Sequence, residues 1–349
     1  MLSFRAIGRF IRAGTACIVG AMALPHLAQV GFFQPILETV RHSGAPVGTL
    51  LKKTGLHRFD LEVGDNYVPQ QPVLSLLDLV RKQEGVDDFV AYLGNRVHVA
   101  QLANWGSTLS HRSSLLSACR FAARYGHVVL TNERIKLEIL GRKAKVSLIF
   151  LDPPTTDWSL FEYVNFAYMY STFSMAAGAD TAPDEVHFHS SRAPNLDRFL
   201  PPGNNTRVLL GQAATALVFP VEILAEAMLG PDSESAIERM FLERPPGAAE
   251  SIAAILDSWE GEHTPNLAVV AEALGLSRRT LQRRITAEAK TFSEVVDQWR
   301  FTKSIEMISD PAMTIREVSE RLHYANTANF DRAFRRWTGV SPSAYRSSI

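Results

Sequence analysis

Two arginine-rich segments near the end of the chain carry the side chains with the clearest chemical use. Residues 277–290 hold five basic residues against one acidic residue, and residues 327–337 form the second segment. Guanidinium groups bind phosphates and guanine edges, and an α-helix fits the major groove of duplex DNA. We therefore predict that these segments bind DNA. The candidate DNA-binding side chains are Arg278, Arg279, Thr280, Gln282, Arg283, Arg284, Thr327, Asn329, Arg332, Arg335 and Arg336.

The first segment belongs to a helix-turn-helix pattern that spans residues 267–285. Gly275 stands where the chain must turn sharply with positive φ, and Ser277 is placed to cap the second helix. Leu281 and Ile285 are four residues apart, so they share one helix face, which leaves the arginines mostly on the outside. The buried face of the leading helix is predicted to be Leu267, Val270, Ala271 and Leu274.

A second helix-turn-helix pattern spans residues 314–337, with Thr314 as its first cap. Phe330, Phe334 and Trp337 form the predicted inner face of its second helix. Between the two units, residues 292–309 read as one helix that ends at Asp310 because Pro311 cannot continue it. A rigid connection of this kind would place two recognition helices about one DNA turn (~34 Å) apart, facing adjacent major grooves.

The C-terminal segment resembles the AraC/XylS family of bacterial transcription regulators. The resemblance is carried by Val-Ala-Glu-Ala-Leu-Gly-Leu-Ser at 270–277, Leu-Gln-Arg-Arg at 281–284, Trp-Arg at 299–300, Phe-Asp-Arg-Ala-Phe-Arg-Arg-Trp-Thr-Gly-Val-Ser-Pro at 330–342 and Tyr-Arg at 345–346. It covers about a quarter of the chain. It implies an all-α domain of two helix-turn-helix units joined by a linker helix. The implied partners are promoter DNA, RNA polymerase and a second copy of the chain.

Four positions depart from the family pattern. The second turn carries His323-Tyr324 where the family usually has Gly-Phe. The family also commonly has Gly near Lys290 and Ala near Ser304. We expect these departures to be tolerated, because His enters the left-handed region more readily than most residues and Ser is small.

The preceding part of the chain mixes helix and strand patterns. Ile135, Leu137 and Ile139 alternate with charged residues, which is typical of a half-buried strand. Other strands are predicted at 144–151, 184–189 and 206–211, and helices at 33–54, 71–83, 113–125 and 160–177. This mixture predicts an α+β domain.

This domain resembles the arabinose-binding-like effector domain of the same family. The resemblance rests on Leu-Gly at 93–94, Gln-Leu-Ala-Asn-Trp-Gly-Ser-Thr-Leu at 101–109 and Arg-Phe-Ala-Ala-Arg-Tyr at 120–125. It implies a small-molecule sensor or a dimerisation domain, without implying that the ligand is arabinose. Effector binding would be coupled to DNA binding as a difference in affinity between two states.

The candidate effector-binding residues are aromatic and imidazole side chains. Tyr163, Phe166 and Tyr170 lie on the predicted aromatic helix, where they could line a pocket or belong to the core. His187 and His189 would share one strand face, a spacing that some metal sites use, but no third ligand is evident. We expect no metal, no cofactor and no catalytic site, and the sequence has no phosphate-binding glycine loop or nucleophile elbow.

The distribution of charge and of helix-breaking residues divides the chain into domains. From position 262 onward there are 13 basic and 10 acidic residues, which leaves 23 basic and 26 acidic residues elsewhere. We predict an effector or dimerisation domain at 27–244, a linker at 245–265 and a DNA-binding domain at 266–349. Only one end of the chain is thus basic enough to favour nucleic acid.

Residues 1–26 resemble an export leader, with three arginines before a short apolar run. The run is too short to span a bilayer. The alternatives are a disordered or amphipathic leader, or an upstream start codon. Two cysteines, Cys17 and Cys119, form no disulfide framework, and a DNA-binding domain acts inside the cell, so we expect a cytoplasmic protein with no membrane segment.

Three functions remain open from the sequence. The first is a ligand-responsive transcription regulator, with activation or repression undecided. The second is an enzyme or metal-binding domain that carries a DNA-binding tail. The third is a constitutive DNA-binding protein whose N-terminal domain only dimerises.

Overall fold

The computed structural model describes residues 26–42, 45–84, 97–151, 157–228, 246–261 and 263–347. The predicted leader, apart from His26, and the Leu-Gly motif at 93–94 lie outside these described residues. Within the described ranges, no helix is both long and apolar enough to cross a membrane.

The N-terminal half is an α+β unit, as its mixed patterns predicted. It begins with a two-stranded antiparallel ribbon of β1 (Leu27–Gln29) and β2 (Tyr67–Pro69), in which Ala28 lies opposite Val68. Its helices are α1 (Val30–His42), α2 (Val47–Thr54), α3 (Gln70–Glu84), α4 (Ala103–Ser110), α5 (Leu115–Tyr125) and α6 (Ser159–Ala177).

A five-stranded sheet completes this half. Its strands are β3 (Glu133–Leu140), β4 (Lys143–Phe150), β5 (Glu185–His187), β6 (Arg207–Leu209) and β7 (Thr215–Pro220), in the order β3-β4-β7-β5-β6. Only β5 and β6 pair in parallel. The β3–β4 hairpin turns at Gly141, whose φ of +66° favours glycine. The predicted strands are confirmed, whereas β1, β2 and β7 were not predicted.

Helix α6 forms the centre of the N-terminal core. It is apolar on nearly every side, and a helix of this kind is stable only when it is covered all round. Phe161, Phe166 and Phe173 are each at most 2% exposed, and the Tyr168 hydroxyl donates to the carbonyl of Phe32 over 2.9 Å. The sheet and the α1 region therefore pack against the same helix.

The C-terminal half is all helical, as predicted. Its helices are α7 (Ala248–Asp257), α8 (Leu267–Ala273), α9 (Arg278–Ala287), α10 (Phe292–Ile308), α11 (Ile315–Arg321), α12 (Thr327–Thr338) and α13 (Pro342–Arg346). Helices α8 and α9 form the first helix-turn-helix unit, α11 and α12 form the second, and α10 connects them.

The predicted linker at 245–265 differs from the structure. Helix α7 lies within it and is packed, with Ile252 and Ile255 fully buried and Ser258 0% exposed. The apolar residues on its inner face need a partner surface, so this segment is part of the fold rather than a free connection.

Candidate DNA-binding surface and ligand cavity

The first helix-turn-helix turn is closed by two backbone hydrogen bonds. Gly275 has a φ of +66° and donates its N–H to the Glu272 carbonyl over 3.0 Å. The next residue, Leu276, donates to the Ala271 carbonyl over 2.8 Å. This pair of bonds ends α8 and redirects the chain into α9.

The second turn repeats the same geometry without glycine. His323 has a φ of +56° and donates to the Glu320 carbonyl over 2.9 Å, and Tyr324 donates to the Ser319 carbonyl over 3.0 Å. The expectation that His323 tolerates the left-handed region is confirmed. The two units thus share one backbone design despite different turn residues.

Helices α8 to α12 each begin at a polar cap, as was predicted for Ser277 and Thr314. Thr291 and Thr314 form reciprocal capping boxes with Glu294 and Glu317, and hydrogen bonds from the Thr side chain and backbone lower the pKa of both carboxyls. The ends of the helices are thereby fixed by local sequence. The caps are Asn266, Ser277, Thr291, Thr314 and Asn326.

Helix α9 presents four polar side chains outward. Arg278, Arg279, Gln282 and Arg283 are exposed, and the three arginines have no carboxylate partner among the described residues. Thr280 is half-buried and shares a 2.8 Å hydrogen bond with the cap hydroxyl. The exposed arginines are therefore available to phosphates or base edges.

Arg284 was predicted to point outward, but only 8% of its surface is exposed. It follows Leu281 by three residues and precedes Ile285, and both of those residues are fully buried. Burial, together with the neighbouring charge of Arg283, lowers the pKa of Arg284. Arg284 thus adjoins the packed side of α9.

Helix α12 presents Thr327, Arg332, Arg335 and Arg336 outward, with Asn329 half-buried. Its arginines have acceptors within the protein. Arg335 pairs with Asp331 over 2.8 Å, Arg336 pairs with Asp297 of α10 over 2.9 Å, and Arg332 donates to Asn329 over 2.5 Å. The positive charge of α12 is therefore partly compensated, unlike that of α9.

The linker helix α10 is held at its middle and at its C-terminal end. Arg300 donates to the Leu322 carbonyl over 3.2 Å and lies 4.5 Å above the Tyr324 ring. Arg346 of α13 donates to the carbonyl of Ile308, the last residue of α10, over 2.9 Å. These bonds fix the second unit relative to α10, so both arginines of the Trp-Arg and Tyr-Arg motifs have structural roles.

Helix α7 joins the two halves. At its start, the Glu288 carboxylate accepts from the backbone N–H groups of Ala248 and Ala249 over 2.5 and 3.1 Å. At its end, Asp257 accepts from the indole N–H of Trp299 over 2.8 Å and pairs with Lys303 over 3.2 Å. One turn of α9 and one face of α10 therefore position α7.

The other side of α7 contacts the N-terminal half. The Ser258 hydroxyl donates to the Tyr67 carbonyl over 2.6 Å, and the Asp60 N–H donates to the Ser258 carbonyl over 2.6 Å. The rings of Phe59 and Trp259 meet edge to face with centroids 5.5 Å apart. A displacement of the 58–67 segment would thus act directly on the end of α7.

A cavity lies in the N-terminal half between the sheet and helices α4, α5 and α6. The space between these elements amounts to about 730 Å³ when its opening to solvent is included. Its wall is mainly aliphatic and aromatic, and no Lys, Arg or His side chain is among the described residues that line it. Representative wall residues are Phe32, Leu102, Trp105, Leu148, Met169 and Phe219.

Glu133 and Asn165 supply the polar groups at this wall. Glu133 is 5% exposed, and burial raises the pKa of its carboxyl well above the usual range, against a hydrogen bond from Asn165 that lowers it. Its Oε1 atom has no hydrogen-bond partner among the described residues. Thr172 also lines the cavity, but its hydroxyl already donates to the Tyr168 carbonyl over 3.0 Å.

None of the five predicted effector residues lines this cavity. Tyr163, Phe166 and Tyr170 lie on the other face of α6, where Phe166 packs edge to face against Phe188 and Phe199. Their burial therefore favours the core role that the sequence also allowed.

The two predicted histidines do not converge. The His187 ring bonds to Glu185 over 3.0 Å, whereas the His189 ring bonds to the Gln212 carbonyl over 3.0 Å and lies against Trp158. No cluster of three or more metal-ligating side chains occurs among the described residues.

Glu133 and Asn165 were not predicted from the sequence, although a signal was present. Glu133 precedes Ile135 by two residues, so strand alternation places it on the same face as Ile135 and Leu137. A carboxyl on an apolar strand face indicates a special environment. Asn165 is three and four residues from Tyr168 and Met169, which places it on the cavity side of α6.

Two family models match this chain. A model described as a helix-turn-helix domain matches residues 270–348. A second, described as the arabinose-binding domain of AraC transcription regulator, N-term, matches residues 44–228, which is more than half of the chain.

Similar proteins include two curated relatives and one solved structure. The HTH-type transcriptional regulator VqsM of Pseudomonas aeruginosa is 34% identical over 103 residues, which cover 30% of this chain and 31% of that protein. The ornithine utilization regulator of the same species is 29% identical over 133 residues, which cover 31% of this chain and 39% of that protein. The crystal structure of the transcriptional regulator CdpR, also from that species, aligns with a TM-score of 0.43 and 18% identity over 91% of this chain and 98% of its own.

The alignments to the curated relatives span less than two fifths of those proteins' lengths. The second family model covers most of the chain that precedes the helix-turn-helix match. The chain therefore contains both types of domain. With both domain types in the order that the family has, the chain belongs to the AraC family of transcription regulators.

Proposed function

We propose that this protein is a sequence-specific, DNA-binding transcription regulator that acts in the cytoplasm and responds to a small molecule. The single observation that carries the proposal is the paired turn geometry. Two units with the same closing hydrogen bonds each present a recognition helix with outward arginines. Helices of this kind bind in the major groove.

The N-terminal cavity supports the ligand-responsive part. Its wall is mainly apolar and it opens to solvent, and it lies in the same half that contacts α7 through Tyr67 and Asp60. Suppose that a ligand binds one arrangement of these elements better than another, and that the two arrangements differ in DNA affinity. The ligand then changes DNA affinity, and DNA changes ligand affinity by the same factor. Promoter contact with RNA polymerase and formation of a homodimer belong to the same proposal.

The DNA-binding part is tested on a site obtained by selection from random duplexes. The double variant Arg278→Ala/Arg283→Ala should weaken binding at least tenfold, because two exposed cations are removed from α9. Arg142→Ala is a matched control, since this N-terminal arginine is 95% exposed at its side chain and lies on the β3–β4 turn. Equal affinities for the wild type and the α9 variant would contradict the proposal.

The alternative readings have less support. The rings of His187 and His189 bond to different groups, which lends nothing to a metal-dependent enzyme. A purely dimerising N-terminal domain would show no ligand-dependent change in DNA affinity. Light scattering of the full chain, with and without DNA, tests the homodimer directly.

A further inference from the structure

The cavity wall limits the chemistry of its ligand, provided that the proposed effector role holds. The described residues at the wall include no cation that could pair with a carboxylate or phosphate. An anionic ligand would have to leave water and lie near the Glu133 carboxyl, which disfavours a second negative charge. The wall therefore selects against acids and phosphorylated molecules.

A sugar or another polyol is also a poor match. Each buried hydroxyl needs a partner, and leaving one without a hydrogen bond is costly. The side chains at the wall offer Glu133 and Asn165, while the hydroxyls of Thr172 and Tyr168 already donate to backbone carbonyls. The wall can therefore satisfy about one polar group on a ligand, not four.

A cationic amine would face a different cost. It would pair with an ionised Glu133, but both charges would be removed from water into an apolar cavity, and such pairs seldom recover their desolvation. Burial already disfavours the ionised form of this carboxyl. A neutral hydroxyl avoids this cost, because it can donate to a carboxylate and can also accept from a protonated acid.

We propose that the cavity binds an apolar, uncharged molecule with a single hydroxyl group, which hydrogen-bonds to Glu133. Glu133 lines the cavity, and its Oε1 atom has no partner among the described residues, so the carboxyl has an unused acceptor. The surrounding Phe32, Leu148 and Phe219 side chains contact the apolar body. The ligand class is therefore that of phenols and medium-length alcohols.

The test compares probes that share one ring system and differ in their polar group. Dissociation constants of the full chain are measured by calorimetry for naphthalene, 1-naphthol, 1-naphthoate, 1-naphthylmethylammonium and L-arabinose. We expect 1-naphthol to bind about tenfold more tightly than naphthalene, as one buried hydrogen bond provides. Both charged probes and L-arabinose should bind more weakly than naphthalene.

Substitutions then locate the contact. Glu133→Leu should abolish the preference for 1-naphthol and leave naphthalene binding unchanged, whereas Glu133→Gln, which keeps an acceptor oxygen, should retain part of the preference. Ala118→Leu, which fills the cavity from α5, should weaken every probe. The dissociation constants of both Glu133 variants are compared with those of the wild type, so that a folding defect in one variant does not decide the result.

The outcomes separate this inference from the proposed function. If naphthalene binds but 1-naphthol is no tighter, or if the preference survives in Glu133→Leu, the inference is wrong and the effector role stands. Tighter binding of a charged probe also overturns the inference. If no probe binds while the protein still binds its selected DNA site, the effector role fails together with the inference.

Discussion

At the scale of single residues, Glu133 is the least expected feature of the fold. It is a carboxyl at the start of a strand, buried within an otherwise apolar wall, with one oxygen that no described residue satisfies. A group of this kind lowers stability when it is charged, unless a partner compensates for it. Its presence therefore has a measurable cost that depends on pH.

The first prediction concerns that cost. Burial raises the folded-state pKa of Glu133 above its unfolded value near 4.5, so its contribution to stability is fully present below pH 4.5 and is lost as pH rises through the folded-state pKa. Glu133→Gln should therefore be more stable than the wild type at pH 8, and the difference should shrink toward pH 4.5. Urea denaturation across this range measures it.

The control for that experiment is Glu222→Gln, since Glu222 is 63% exposed at its side chain. Removing its charge should change the free energy of unfolding by only a small amount, because exposed charges contribute little stability. A stability difference for Glu133→Gln that is the same at pH 4.5 and pH 8 would contradict the assignment of a raised pKa.

The second prediction concerns Ala289, which has a φ of +56°. A non-glycine residue in this left-handed region destabilises the folded state by about 1–2 kcal/mol. Glycine removes this strain, but part of the gain is offset because glycine has greater freedom in the unfolded chain. Ala289→Gly should therefore raise the free energy of unfolding by about 0.5–1 kcal/mol. Ala287→Gly, inside α9, should lower it by a similar amount. A lower free energy of unfolding for Ala289→Gly, as for Ala287→Gly, would show that the backbone of residue 289 is not strained.

Much of the residue-scale geometry could be predicted from the sequence, since it depends on neighbours along the chain. Gly275, Ser277 and Thr314 lie at the turn and caps where their conformational preferences place them. The burial of Arg284 could not be predicted in this way. Its helix position borders the apolar face, and whether such a position is exposed or buried depends on tertiary packing. The cavity was missed for the same reason, since its wall comes from four helices and three strands that are distant in the chain.

At the scale of elements, the two recognition helices differ in free charge. The arginines of α9 have no carboxylate partner among the described residues, whereas Arg335 and Arg336 of α12 each have one. Exposed ion pairs contribute little stability, but they must be exchanged for phosphate contacts on binding. The first unit should therefore supply the larger electrostatic share of DNA affinity.

The third prediction tests this difference through salt dependence. Each phosphate contact adds about 0.9 to the slope of log K against log salt. Arg278→Ala/Arg283→Ala should reduce the slope by about 2, and Arg335→Ala/Arg336→Ala should reduce it by less. Asp297→Asn, which releases Arg336, should strengthen binding at low salt. Equal slopes for the two double variants would show that the units contribute alike.

The order and type of most elements could be predicted, because helix and strand periods and turn residues are local signals. The short strands β1 and β7 could not, since Leu27 and Thr215 lie in strands that depend on partners distant in the chain. Helix α7 lies in the segment that was assigned to a linker. Only its tertiary partners, Glu288 and Trp299 among them, show that it is packed.

At the scale of the whole molecule, α7 is the connection between the two halves. It is bound by α9 and α10 on one side and by the 58–67 segment on the other. A rearrangement around the cavity that moved this segment would therefore reach the first helix-turn-helix unit through one helix. The fold thus contains hydrogen-bonded contacts that run from the 58–67 segment through α7 to the first helix-turn-helix unit and to α10.

The fourth prediction concerns the start of that helix. Glu288→Ala removes the carboxylate that accepts from Ala248 and Ala249, which should destabilise α7 by about 1 kcal/mol, as the loss of a helix cap does. Hydrogen exchange of the amides at 248–257 should then become about fivefold faster. Glu272→Ala on the exposed side of α8 is the control, and unchanged exchange in Glu288→Ala would show that α7 is held by other contacts.

The most direct test of the central claim is a footprint of the full chain on DNA from just upstream of its own gene, with non-specific competitor present. Two adjacent recognition helices on one rigid connection predict protection of two half-sites about one helical turn (~34 Å) apart on one face of the duplex. The α9 variant should lose the protection of one half-site first. Absence of any protected site, for both the full chain and residues 262–349, would contradict the account.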